Sequence, residues 1–123
     1  MKLARDDGTA TYRIRAYEPG SITINEHTYE TSVLLMPDTL STQLRPERLD
    51  ELALADLQPA IDWAPELILL GTGARQAFPA RELMRSLIHA GIGFEAMDTA
   101  AACRTFNLLM SEDRRVAAAL LLR

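Results

Sequence analysis

One cysteine, two histidines and one tryptophan leave this chain short of the side chains that most site chemistry uses. Cys103 alone cannot close an intrachain disulfide, which suits a reducing compartment. One thiol and two separated imidazoles make no ligand cluster for zinc or a related metal, so neither a metal centre nor a cofactor is expected. Long apolar runs are also missing. The longest, Val116 to Leu122, falls far below the ~20 residues of a spanning helix. No apolar segment precedes the charges of "MKLARDDGTATYRIR", so the start does not read as a secretory signal. A cytoplasmic location, or a peripheral place on a membrane complex, is expected. Basic residues are outnumbered, 13 against 17 acidic, for a formal net charge of −4. General affinity for nucleic acid needs a basic face to displace counterions, and this balance argues against it. Twelve of the 13 basic residues are arginine, a bias that carries no recognition code by itself.

Apolar residues make up 48% of the 123 positions and charged residues 24%, the balance of an ordinary globular core. No linker, repeat or low-complexity tract divides the chain, so residues 1–123 read as one domain. Residues 1 to 10 are polar and read as loose. "TYRIRAY" alternates, with Tyr12, Ile14 and Ala16 on one face and Arg13, Arg15 and Tyr17 on the other. "SITI" and "TYETSVLLM" give two further strands, separated by turns at "EPG" and "NEH". This first third reads as an antiparallel meander. Residues 37–53 lack a clear period and read as a loop with room for a strand fragment.

From there the pattern changes. Leu54, Leu57 and Ile61 fall at helical spacing up to Trp63, and "LILL" at 67–70 is a short apolar run of the kind covered on both faces in parallel sheets. Pro79 suits the first turn of the next helix, which carries Leu83, Met84, Leu87 and Ile88 on one stripe and stops at Gly91. "IGFEAM" is a strand, Asp98 or Thr99 caps a helix over Ala100–Met110, and "VAAALLL" is a last buried strand. Strand, helix, strand, helix, strand is the order of an α/β domain with a mostly parallel sheet flanked by helices.

If strands 67–70 and 92–97 are parallel neighbours, Gly71-Thr72-Gly73 and Asp98-Thr99 lie just beyond two strand ends at one edge. Ligands of open α/β sheets favour that crevice, and the helix after Asp98 aims free N–H groups at it. The phosphate-loop fingerprints do not fit: Gln76 stands at the third glycine position of G-x-G-x-x-G, and no Gly-Lys-Ser/Thr follows. A tight turn that lets backbones pack closely is one reading of the two glycines. A small anion or polar ligand, with Arg75 and Arg104 as charge partners, is the other. Thr99, Cys103 and Asn107, spaced i, i+4, i+8, share one helix face, and Asn107 asks for a partner. Cys103 lies beyond the first helical turn with no base nearby and reads as packed rather than nucleophilic. His27 in a hairpin turn and His89 at a helix C-terminus make no triad with it. The candidate cleft therefore comprises Gly71, Thr72, Gly73, Asp98, Thr99, Cys103, Arg104 and Asn107, and no catalytic residue is named.

The run "LLGTGARQ…GIGFEAMDTAAACRTFNLLMSEDRRVAAALL" resembles a small α/β family. That family includes the mitochondrial NADH dehydrogenase (complex I) assembly factor 3, the adipogenesis-associated domain protein and prokaryotic relatives. The carrying pieces are Gly71-Thr72-Gly73, Gly91-Ile92, Asp98-Thr99, "ACRTFNLL" at 102–109 and the final strand; weaker similarity reaches back through "GSITINEHTYETSVLLMP". Two departures stand out. Glu112-Asp113-Arg114 replaces a Glu-Gly-Arg turn, and no tryptophan follows Pro37 before Leu57. The resemblance implies a three-layer fold with a mixed five-stranded central sheet, no established catalytic residue or cofactor, and protein partners. Two functions are expected in order: a non-enzymatic interaction or assembly-factor-like domain linked to respiratory complex assembly, and a small-molecule or anion-binding domain, enzymatic or sensory, using the cleft at the Gly71-Thr72-Gly73 loop. A third reading makes the exposed face of the meander, with Arg13, Arg15 and Tyr17, a contact between copies.

Overall fold

The computed structural model describes residues 12–123, so residues 1–10 and the Asp6-Asp7 pair lie outside the described residues. The chain runs β1 (Ile14–Glu18), β2 (Ser21–Ile24), β3 (His27–Tyr29), β4 (Val33–Met36) and β5 (Thr39–Ser41). Two short 3-10 turns at Leu49–Glu51 and Leu54–Leu57 lead into α1 (Gln58–Trp63). Then come β6 (Leu67–Thr72), α2 (Arg81–His89), β7 (Gly93–Met97), α3 (Thr99–Ser111) and β8 (Val116–Leu121). The central sheet has the order β5-β4-β8-β6-β7, and β1-β2-β3 form a separate antiparallel sheet. β6 lies parallel to both β7 and β8, while β4 runs antiparallel to β8 and β5. The β-α-β unit expected from residues 66–98 is present, in register from Leu67 opposite Gly93 to Gly71 opposite Met97. The mixed five-stranded sheet and the N-terminal meander are as the sequence led one to expect.

Alternation along the central strands builds two cores. Val116, Ala118, Leu120 and Leu122 face one side, together with Val33, Leu35 and Leu69. That side is covered by Ile14, Ile22 and Ile24 of the small sheet and by Ala102, Cys103 and Phe106 of α3. Ala117, Ala119 and Leu121 face the other side with Leu34, Met36, Ile68 and Leu70, under Leu57, Ala60, Leu83 and Leu87. A strand buried on both faces must be apolar at every position, which is why "VAAALLL" and "LILL" carry no polar residue.

Three local expectations are corrected. Residues 28–36 are not one strand. β3 pairs with β2 in the small sheet, and β4 pairs with β8 in the large one. The break falls at residues 30–32, because one straight strand cannot lie in two stacked sheets. The alternation of "TYRIRAY" also slips. The register shifts between Ile14 and Ala16, so Arg15 is the extra residue of a β-bulge. Beyond it the faces exchange: Tyr17 turns toward the core and Ala16 is exposed. The third concerns Pro79, which precedes the N-cap Ala80 rather than occupying the first turn of α2. The loop at 37–53 does contain a strand fragment, β5, joined to β4 by a tight turn at Pro37-Asp38.

Both long helices end in the same hydrogen-bonded way. After α2, Gly91 (φ 76°) donates to Ile88 O and Ile92 donates to Leu87 O. After α3, Asp113 (φ 58°) donates to Met110 O and Arg114 to Leu109 O. This paired pattern requires a left-handed residue, and glycine takes that conformation without a Cβ penalty. Asp113 takes it with one. Asp113→Gly is therefore expected to raise unfolding stability by about 0.5–1 kcal/mol, measured by urea denaturation at neutral pH.

Candidate functional site

The exit of β6 and the start of α3 meet as the topology requires. Asp98 is the N-cap of α3, and its carboxylate accepts from Ala101 N–H at 2.8 Å. Thr99 is fully buried. Its N–H donates to Gly73 O at 2.9 Å, its Oγ1 accepts from Gly73 N–H at 2.8 Å, and its hydroxyl donates to Leu121 O at 2.6 Å. One side chain thus ties together β6, β8 and α3. Thr72 Oγ1 lies 2.5 Å from Arg75 O and 3.2 Å from Met97 O, which closes the loop after β6 against the end of β7.

The glycines are explained by these contacts. A Cβ on Gly71 would stand 2.8 Å from Thr99 Oγ1 and 3.0 Å from Thr99 Cα. A Cβ on Gly73, whose φ is 98°, would stand 2.5 Å from the carbonyl oxygen of Arg123. A Cβ at either glycine would run into the chain itself, Thr99 and the Leu120 side chain at Gly71 and the Arg123 backbone at Gly73, as the close-packing reading has it.

The remaining candidates point elsewhere. Cys103, Arg104 and Asn107 line a groove of about 190 Å³ between α3 and β1, together with Arg15, Ala16 and Tyr17. Gly71, Thr72, Gly73, Asp98, Thr99 and Arg75 are not part of its lining. The eight candidates therefore divide into a closed joint and an open groove further along α3. Arg15 and Tyr17 are the groove residues that sequence reasoning assigned elsewhere. The signal available was Asn107, a poor interior helix residue seeking a partner. Its Nδ2 donates to Ile14 O at 2.7 Å and its Oδ1 accepts from Ile14 N–H at 3.0 Å. The amide takes both backbone groups of an edge-strand residue, as a neighbouring strand would, and fixes α3 beside β1.

The groove floor is chemically quiet. Tyr17 donates its hydroxyl to Leu122 O at 3.3 Å, and burial raises its pKa. Cys103 is 6% exposed, and burial pushes its thiol from 9.0 up to about 12 against the opposing pull of Arg104. A neutral thiol is a poor nucleophile. Among the described residues no three His, Cys, Asp or Glu side chains group as a metal site would need. His27 opens β3 and lies against Tyr29, whereas His89 ends α2; neither lines the Cys103 groove.

Two measurements follow from this geometry. Thr99→Val keeps the shape but strands Gly73 N–H and Leu121 C=O. It is expected to lower stability by about 2–4 kcal/mol in chemical denaturation, against about 1 kcal/mol for Thr99→Ser. The folded chain also holds the Cys103 proton more tightly than the unfolded chain. That contribution is intact below pH 9 and is lost as pH climbs toward 12. The stability gap between wild type and Cys103→Ala should therefore narrow across that window in parallel pH-dependent melts.

Comparison with known proteins places this arrangement. Residues 14–121 match a family model described as a protein of unknown function, DUF498/DUF598. The chain is 32% identical over 128 residues to the zebrafish (Danio rerio) NADH dehydrogenase [ubiquinone] 1 alpha subcomplex assembly factor 3, covering 98% of this chain and 70% of that protein. It is 28% identical over 117 residues to a 13 kDa major membrane protein of Francisella tularensis, covering 94% of this chain and 95% of that protein. A crystal structure of a Bordetella parapertussis protein superposes with a TM-score of 0.87 at 38% identity, over 95% of this chain and all of that one (100%).

Proposed function

The chain belongs to the DUF498/DUF598 family, and from that membership we propose that it acts as a non-enzymatic interaction domain of the assembly-factor kind, holding protein partners during construction of a respiratory or other membrane-associated complex. The observation that carries this reading is similarity to a complex I assembly factor along almost the whole chain rather than over one motif. Two features of the site support it. The strand-end crevice that an α/β enzyme would use is filled by Thr99 and Arg123, and the one thiol is held neutral. No helix among the described residues is long and apolar enough to cross a membrane.

Affinity capture of the tagged full-length chain from its own cells, at ordinary salt, tests the proposal. Reproducible recovery of a specific protein partner, absent from a tag-only control, is the expected result. Recovery of no specific protein would overturn it.

A further inference from the structure

The groove between β1 and α3 has a chemistry of its own. Arg15 and Arg104 stand on its two walls, both exposed. Among the described residues, Arg45, Arg114 and Arg123 each meet a carboxylate, at Asp56, Glu66 and Glu47; Arg15 and Arg104, like most of the other arginines, meet none, and what sets these two apart is that they share one groove. Two unneutralised guanidinium groups face one hollow on a chain whose net charge is −4.

The polar groups beneath them are engaged. Asn107 gives its whole amide to Ile14, and Tyr17 donates to Leu122 O. An occupant would find fork-shaped cationic donors at the rim and few free acceptors on the floor, which suits a carboxylate and disfavours a cation or a neutral donor. At about 190 Å³ the hollow is small against the ~300–1,000 Å³ of pockets that enclose drug-sized ligands. Its size fits one acidic side chain. The opposing charge is Asp98, whose carboxylate acts on Cys103 and Tyr17 from the α3 N-terminus but is tied to Ala101 N–H. Arg104, acting on the same thiol, places positive charge over the floor.

A second observation extends the site. Arg15 also borders a second hollow of about 650 Å³, lined by Tyr12, Arg13, Asn25, Glu26, His27, Tyr29 and Leu40, where Arg13 and Arg15 outnumber the one carboxylate, Glu26. The bulge makes this sharing possible, since it pushes Arg15 out of the strand's alternation. A basic niche beside a larger hollow of mixed lining, with Tyr12, Tyr29 and Leu40 among its polar residues and one arginine shared, matches consecutive residues of a polypeptide better than an isolated ion.

We propose that these adjoining hollows receive an acidic segment of a protein partner, with a carboxylate held between Arg15 and Arg104 and an apolar or aromatic neighbour against Tyr12, Tyr29 and Leu40. The inference rests on the interaction-domain reading and gives its docking surface. Both arginines are exposed, and Arg15→Gln/Arg104→Gln removes the charges while keeping a long side chain of good helix propensity in α3, so the double variant should melt close to wild type.

Heteronuclear NMR titration of the full chain supplies the test, with an end-blocked Glu-Glu-Phe-Glu peptide as probe and a Lys-Lys-Phe-Lys peptide and sodium acetate as comparators. The expected result is saturable shifts at residues 15–17, 29 and 103–107. The affinity should fall about tenfold in the double variant and should weaken with added salt. Absence of saturation, equal binding by the lysine peptide, or equal binding by the double variant would overturn the proposal. So would acetate saturating the groove as readily as the peptide, which would identify a free small-anion site instead. Partner capture with the double variant separates the two proposals. A partner retained equally by wild type and variant sinks the groove and leaves the interaction reading standing. Capture by neither sinks the interaction reading, and the titration then judges the groove alone.

Discussion

The hydroxyl of Thr99 is the constraint on which the rest of the architecture turns. It sits where three elements end or begin, has no access to water, and accepts from one backbone while donating to another. Backbone groups at strand exits would otherwise be left without partners inside the protein, at a cost of about 1–3 kcal/mol each. A β-branched hydroxyl residue at the first position of α3 satisfies two of them and holds the helix against the sheet. The two glycines follow from that choice, because only a position without a Cβ lets Thr99 and the end of β8 come so close. A loop that looks from its composition like a ligand cradle is thus a joint made by the chain with itself.

That joint shows where a sequence can be read and where it cannot. The β-α-β unit, both long helices, Gly91 as a left-handed cap and the double-faced strand β8 were all legible, because each is written in local periodicity or in one special residue. The packing of Cys103 was legible for the same reason: it lies beyond the first turn of its helix with no histidine placed to act as its base. What fills the crevice was not legible. The contact of Gly73 with Arg123 joins residues far apart in the chain, and no spacing rule reports such a meeting. The bulge at Arg15 was hidden in a similar way. "TYRIRAY" alternates well enough as plain text, and only pairing with β2 reveals the slip. The division of residues 28–36 between two sheets is again tertiary, since either half alone looks like an ordinary strand.

The opposite end of the sheet is held by charge rather than by a hydroxyl. Arg114 Nε lies 2.5 Å from Glu66 Oε1, and this bond depresses the Glu66 carboxyl pKa. Arg115 stacks over the Trp63 ring at 4.0 Å and donates to the carbonyls of Trp63 and Ala64. These contacts are exposed and give less than their number suggests, because water and salt screen them. Their value is directional: they align the starts of β6 and β8, just as Thr99 aligns the finishes. Held at both ends, the parallel pair gives α3 a fixed platform.

The row of alanines through the middle of the molecule has a quieter effect. Ala117, Ala118 and Ala119 occupy the central strand, where larger aliphatic residues would ordinarily stand, so the layers on either side meet methyl groups there rather than longer side chains. One of these methyl groups, Ala118, lies in the core that α3 covers with Ala102, Cys103 and Phe106. Since Asn107 couples that helix to the edge of β1, a change of volume beneath α3 would act on both walls of the external furrow at once. Kindred proteins could tune what their surfaces admit by resizing one interior position, leaving every exposed residue as it was.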